Sequence, residues 1–386
     1  MYNENAHCRP TIAEIDLNAL RDNMLAVRKA VGPSVKIMPA VKANGYGHGA
    51  VQTARAFAAG GADAFCLATV EEAVELREAG FSQPLLVLGC CLPDAAELIV
   101  RHDISATVCD MAFARSLSDA ARALNVEARI HIKLDTGMGR IGILPETCSD
   151  FVAEVASLPA VCIEGLYTHF SSADDQATDF TNHQIARFRD AVDAVRRRGI
   201  RPAVIHASNS PGIVAYPEAD FDAVRPGIIL YGAHPFEGSS VRPARQIEVR
   251  GALTLKTRIV FLKETAVGDP ISYGRTYETR GRSIIATIPV GYADGYSRML
   301  SNRGLACVRG VRVPVVGRVC MDQVMLDVSD VPGVTVGEEV ILMGGGIEYL
   351  TTNRIAQLAS TVAQEVTCAL SSRVPRVYHG LEHEDG

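Results

Sequence analysis

Val35-Lys36-Ile37-Met38-Pro39-Ala40-Val41-Lys42-Ala43-Asn44-Gly45-Tyr46-Gly47-His48-Gly49 decides how the chain is read. Its first half is a mostly apolar run of the length of a short buried strand, and its second half leads into a helix-like segment at 50–59. Strand, turn and helix in that order make one βα unit. Lys42 stands where the strand ends. Burial there disfavours the charged form of a lysine, lowers its pKa and makes it a candidate Schiff-base nucleophile. Gly45, Gly47 and Gly49 let the backbone turn sharply and approach a ligand, and Tyr46 offers a hydroxyl four residues beyond the lysine. Such a site suits a phosphate-bearing aldehyde. A lone lysine after a strand is more often a solvated loop residue, so the rest of the chain has to decide.

The same grammar repeats on both sides. Residues 11–16 alternate apolar and polar as a strand does, and Asp16 is placed to cap an amphipathic helix carrying Leu17, Leu20, Met24, Val27 and Val31 and ending at Gly32. Short apolar runs follow near 62–68, 84–88, 104–108, 129–134, 161–169, 203–207 and 221–225, separated by helical patterns. With the lysine strand they make eight. Strands alternating with helices imply parallel pairing, and eight such units in about 200 to 250 residues imply a closed α/β barrel, (β/α)8 of the TIM type, here over 11–245.

Active sites of such barrels lie at the carboxyl ends of the strands. The polar residues there are Lys42, Asp135 with Arg140 beyond it, His169, His206 with Asn209 and Ser210, and Arg225. From about residue 246 the pattern changes. Valine- and isoleucine-rich runs at 252–264, 283–289, 306–309, 311–316, 319–328 and 339–343 predict a mainly β second domain over 246–380. A lone helix is expected at 351–358 and a disordered tail from Glu382.

Composition excludes several classes of function. The chain has 386 residues, 48% hydrophobic and 21% charged, with a formal net charge of -6, too acidic for a partner held by nucleic-acid phosphates. The basic run Arg196-Arg197-Arg198 closes a predicted helix, where cations suit the dipole. Nothing resembles a signal peptide, and no run approaches the roughly 20 apolar residues of a membrane span, which predicts a cytoplasmic protein without membrane contact. Ten scattered cysteines without Cys-x-x-Cys or zinc-like spacing read as free thiols and predict no metal.

Residues 41–49 resemble the pyridoxal-phosphate attachment signature of bacterial alanine racemases, and the resemblance runs in several separate motifs from Pro10 to about Tyr378. It implies pyridoxal 5'-phosphate held as a Schiff base by Lys42, and racemisation of L- and D-alanine to supply D-alanine for peptidoglycan. Racemisation at Cα removes a proton from one face and returns one to the other, so two opposed acid/base groups must flank the cofactor. By this resemblance Tyr46, Asn209, Ser210 and the backbone amides of Gly227 and Ile228 serve the cofactor and its phosphate, and Arg225 meets the ring nitrogen. An arginine stays protonated and donates without giving up its proton, which weakens the electron sink.

Lys42 is then the base on one face and Tyr273, in Ile271-Ser272-Tyr273-Gly274-Arg275-Thr276-Tyr277, the base on the other, reaching in from the partner of a homodimer. A free phenol titrates at about 10, so such a base needs help, for which the family pattern points to His169 and Arg225 behind it. Arg140 matches the residue that meets the cofactor phenolate and the substrate carboxylate, and Lys133 a lysine that many members carry as a carbamate. Met321 and Asp322 match partner residues at the carboxylate, and Tyr292 an entrance residue.

One position departs from the pattern: Ser372 stands where the family usually has a tyrosine beside cofactor and substrate. An apolar pocket discriminates by roughly a hundredfold at best against one extra hydroxyl, so the smaller residue implies some turnover of serine. Two other readings compete. Amino-acid decarboxylases of the same barrel-plus-β build usually pair the ring nitrogen with a carboxylate, unlike Arg225. Single-barrel pyridoxal-phosphate carriers lack a second domain.

Overall fold

The computed structural model describes residues 9–175, 178–237 and 243–381. Eight parallel strands build its first half: β2 (Lys36–Ile37), β3 (Phe65–Leu67), β4 (Leu85–Val87), β5 (Ser105–Val108), β6 (Ala128–Lys133), β7 (Val161–Tyr167), β8 (Val204–His206) and β9 (Ala223–Val224). They lie in the order β2-β9-β8-β7-β6-β5-β4-β3, and a parallel bridge between Ala40 and Cys66 joins the two ends. The sheet is therefore the closed barrel that the sequence predicts. β3, β4 and β5 are buried along their whole length because helices cover them outside and side chains fill them inside.

The first helix, Leu17–Val31, begins where Asp16 Oδ1 accepts the Ala19 amide at 2.9 Å and ends at Gly32. It buries Leu17, Leu20, Met24, Val27 and Val31, the apolar stripe read from the sequence. The strand before it behaves differently from its neighbours. β1 (Ile12–Asp16), placed with the barrel by the sequence, instead pairs antiparallel with β10 (Leu253–Arg258) and parallel with the last strand, Arg376–His379. Its half-buried alternation suits the second sheet, and partners more than two hundred residues away leave no local trace.

The remaining strands are β11 (Phe261–Thr265), β12 (Pro270–Ile271), β13 (Tyr277–Glu278), β14 (Ser283–Ile288), β15 (Leu305–Val308), β16 (Val311–Pro314), β17 (Val324–Asp327), β18 (Glu339–Met343) and β19 (Arg376–His379). They form a six-stranded sheet β16-β15-β18-β10-β1-β19, a three-stranded sheet β11-β14-β17 and the hairpin β12-β13. The predicted run 252–264 is thus two strands in two sheets, broken at Ile259 and Val260. Within 319–328 only β17 is strand; the residues before it form a loop.

The expected lone helix is one of two, Thr352–Ala359 and Ala363–Cys368, separated by Ser360 in a left-handed cap with φ 57°. The second helix spans only six residues, too few for a period to register. The tail from Glu382 lies outside the described residues. Among those described, no helix is long and apolar enough to cross a membrane.

Candidate active site

The turn after β2 departs from ordinary backbone. Ala43, Asn44, Gly45 and Tyr46 all have φ between 51° and 58°, one continuous left-handed turn starting just after Lys42. Each side-chain-bearing residue in it costs roughly 1–2 kcal/mol, so surrounding bonds must hold it. Glu72 supplies one: Oε1 accepts the Ala43 amide at 2.6 Å and Oε2 the Ala68 amide at 2.7 Å. Asn44 Oδ1 accepts the Ala50 amide at 2.9 Å, starting the next helix.

The C-terminal segment supplies the rest. Arg376 Nε donates to the Gly47 carbonyl at 3.0 Å. A Cβ at Gly47 would fall 2.1 Å from the Thr367 carbonyl oxygen, and one at Gly49 would fall 2.0 Å from Tyr378 Oη. Those two glycines are needed for close approach as much as for turning. Glu72 and this clasp escaped the sequence reading, although Thr69-Val70-Glu71-Glu72 carries a visible capping-box signature.

Lys42, Lys133, Arg140, Tyr167, His169 and Arg225 line one cavity at the carboxyl ends of the barrel strands. Four of the six are cations, and no carboxylate lines it among the described residues. The site is built for anions. Burial lowers the Lys42 pKa, with Arg140 adding repulsion. Burial, then Arg225, pulls Lys133 down to about 8. Burial, then the same arginine, pushes His169 well below the ordinary histidine range and keeps it neutral.

Arg225 is 4% exposed and fixed from several sides. Its guanidinium donates to the Thr168 and Ala207 carbonyls at 2.8 Å each, to His206 Nδ1 at 2.7 Å and to His169 Nδ1 at 3.3 Å. Because an arginine cannot accept, His206 Nδ1 must, which leaves its Nε2–H to donate to His131 Nδ1 at 2.8 Å. His131 Nε2 then meets Glu164 Oε2 at 3.2 Å, and Ser105 Oγ donates to the same oxygen at 2.8 Å.

One tautomer assignment satisfies the whole chain, with a cation at one end and a carboxylate at the other. The hydrogen bond from His131 is the main reason the Glu164 carboxyl falls to about 2. Tyr167 stacks on His206 at 4.7 Å, and the Arg225 guanidinium lies 5.1 Å from its ring centre. Sequence reading placed His206 at the rim and missed Tyr167, His131 and Glu164. His206 is buried beneath the rim instead.

Beside the cavity the Gly227 amide donates to Ser210 Oγ at 2.9 Å. A Cβ at Gly227 would fall 2.7 Å from Tyr46 Oη. Two hydroxyls and a backbone amide thus converge where only a glycine leaves space, with Ile228 starting the turn that follows. This cradle fits a phosphate group next to a desolvated lysine, the two demands of the predicted cofactor.

Two other predicted residues do structural work. Asn209 Oδ1 caps the helix Ser210–Ala215 through the Gly212 amide at 3.1 Å. Asp135 folds its own loop by accepting the Gly137 and Gly139 amides at 3.0 Å.

Tyr273, Tyr292, Met321 and Asp322 do not line this cavity. Tyr273 is 71% exposed and Met321 52%. Their loops are joined, since Ser272 Oγ donates to the Arg318 carbonyl at 2.7 Å and the Tyr292 amide to the Cys320 carbonyl at 3.0 Å. Asp322 Oδ1 accepts Arg373 Nη2 at 2.8 Å, and Ser372, next to that arginine, is exposed.

Comparison with known proteins gives the lineage of this site. Residues 15–235 match the family model described as alanine racemase, N-terminal domain, and residues 252–378 match alanine racemase, C-terminal domain. The alanine racemase of Halothermothrix orenii is 46% identical over 96% of this chain and 97% of its own length. Among solved structures, the alanine racemase of Streptomyces lavendulae superposes with a TM-score of 0.92 at 35% identity, covering 99% of this chain and all of the other. That of Bacillus anthracis, solved with bound L-Ala-P, gives 0.89 at 34%, covering 97% and 96%. The chain is an enzyme that belongs to the alanine racemase family.

Proposed function

We propose that the protein interconverts L- and D-alanine with pyridoxal 5'-phosphate held at Lys42. The observation that carries this is a desolvated lysine beside a cradle of Tyr46, Ser210 and Gly227, within a cavity of cations that suits a phosphate and a carboxylate. When bound, the cofactor supplies the electron sink that acidifies Cα. Lys42 Nζ, its pKa lowered by burial, takes or returns the proton on one face. Arg225, pinned by four acceptors, offers the ring nitrogen a hydrogen bond but no proton. Arg140 orients the substrate carboxylate, and neutral His169 with Arg225 forms the electrostatic backing of the second face.

In this reading Tyr273 of the partner subunit serves that second face, because the residue is exposed on its own chain and does not line its own cavity. Tyr273→Phe should lower racemisation by roughly 10²–10⁴-fold while hydrogen exchange at Cα persists for one enantiomer. Mixing Tyr273→Phe with Lys42→Ala chains should restore about one quarter of the activity, since half of randomly paired dimers then carry one intact site. Unaltered racemisation by Tyr273→Phe would sink the two-base scheme; failure of the mixture to recover would sink the shared site. Cytoplasmic supply of D-alanine to peptidoglycan completes the reading, and rescue of a D-alanine auxotroph tests it.

Two finer proposals attach to it. Carbamate formation at Lys133 needs the neutral amine, which is scarce below about pH 8 and plentiful above it. A carbon-13 bicarbonate signal that grows through that range and vanishes in Lys133→Ala is the expected result; an unlabelled protein at pH 9 refutes it. The exposed Ser372 leaves space that a tyrosine would fill. Serine is accordingly racemised, and Ser372→Tyr lowers the serine-to-alanine ratio of kcat/KM by up to roughly a hundredfold. An unchanged ratio removes Ser372 from substrate selection.

A further inference from the structure

Two cysteines the reaction does not use sit together at the mouth of the cavity. Cys90 follows β4 and Cys109 follows β5, adjacent parallel strands paired Leu86 to Ser105 and Val87 to Ala106. Continuing that register places Cys90 opposite Cys109, at the spacing of neighbouring strands, about 4.8 Å. A disulfide accepts Cα separations of roughly 4.4–6.8 Å, so the backbone spacing suits one. The sulfur atoms are 3.7 Å apart, both thiols free. Cys90 is exposed and lines the cavity that holds Lys42 and Arg225; Cys109 is half-buried behind it.

We propose that Cys90 and Cys109 form a reversible disulfide under peroxide, and that this bond switches the active site off. The exposed Cys90 sulfur attacks the peroxide, taking one oxygen as a sulfenic acid and releasing water. Cys109 sulfur then attacks Cys90 sulfur; the S–O bond breaks, the S–S bond forms, and the Cys109 proton leaves in a second water. In sum two thiols are oxidised and one peroxide is reduced to two waters.

Closing the sulfur gap from 3.7 Å to about 2.05 Å pulls on the wall made by Leu88, Gly89 and Cys90. That wall has little freedom, since even a Cβ on Gly89 would lie 2.5 Å from the Ala68 carbonyl oxygen. The movement is therefore passed to the cavity shared with Lys133 and Arg140. Cys91 takes no part: its sulfur turns to the Gly89 carbonyl, 3.8 Å away.

The switch rests on the proposed reaction only through its activity readout; the bond itself is read by mass. Peroxide treatment of the whole cofactor-loaded protein should remove two hydrogens per chain, link the peptides holding Cys90 and Cys109, and slow alanine racemisation by roughly tenfold or more. Dithiothreitol should reverse all three changes. Cys91→Ser should behave like the parent, whereas Cys109→Ser should keep the basal rate and form no link. Persistence of both thiols at a peroxide level that oxidises the exposed Cys368, a link between other cysteines, or a link without loss of rate each overturns the proposal. A link found in a protein that does not racemise alanine would instead count against the proposed reaction.

Discussion

Lys42→Ala keeps the fold and lowers racemisation by on the order of 10⁴-fold, the upper range for removing a positioned proton-transfer group. The fold survives because main-chain groups and Glu72 hold the left-handed turn: Gly45 N to Val41 O at 2.8 Å, Gly47 N to Ala43 O at 3.0 Å, and Ala43 N to Glu72. The Lys42 ammonium is not part of that scaffold. Its removal also relieves repulsion in a cavity that retains Lys133, Arg140 and Arg225, so the melting temperature stays level or rises. The experiment reads the rate, the melting curve and the cofactor mass fixed to the chain by borohydride. Retained rate or retained fixed mass would remove Lys42 from the chemistry.

Arg225→Met is expected to cost the fold about 3–5 kcal/mol, the range for breaking a buried ionic network from one side. Methionine fills similar volume but leaves His206 Nδ1 and the Thr168 and Ala207 carbonyls without their donor. It also removes the cation at the far end of the two-histidine chain that leads to Glu164. If the relay acts as a unit, the cost of Arg225→Met and Glu164→Gln combined falls well short of their sum in denaturant unfolding. Additive costs would show the four residues to be independent.

The pH dependence has a definite sign. The Glu164 carboxyl is depressed to about 2 in the folded chain, so its stabilisation is complete above the ordinary carboxylate value of about 4.3 and is lost as pH falls from there toward 2.

The barrel was legible because each strand is short, apolar and bracketed by turns, and because, apart from the closing pair β2 and β9, partners come next in the chain. β1 was not, since its neighbours β10 and β19 lie far away in sequence. Of the site, the residues at strand ends were visible: Lys42, Ser210, Arg225 and Gly227 stand where chain direction and fold class say chemistry should be. Residues inside strands were not. Yet Ile130-His131-Ile132-Lys133 alternates, which puts His131 on the same inward face as Lys133, and that periodicity was a signal available in advance. The length of the left-handed turn had no such signal, because Ala43 and Tyr46 adopt it against their own preference.

The clasp between β1 and β19 sets an order of events during synthesis. Ile12–Asp16 leaves the ribosome long before its parallel partner, Arg376–His379. Until that partner emerges, β1 keeps one edge unpaired, which exposes it to chaperones and to premature association. Arg376 and Tyr378, which secure the turn after Lys42, arrive with that same final segment. Catalytic competence thus waits on a segment made long after the lysine it supports.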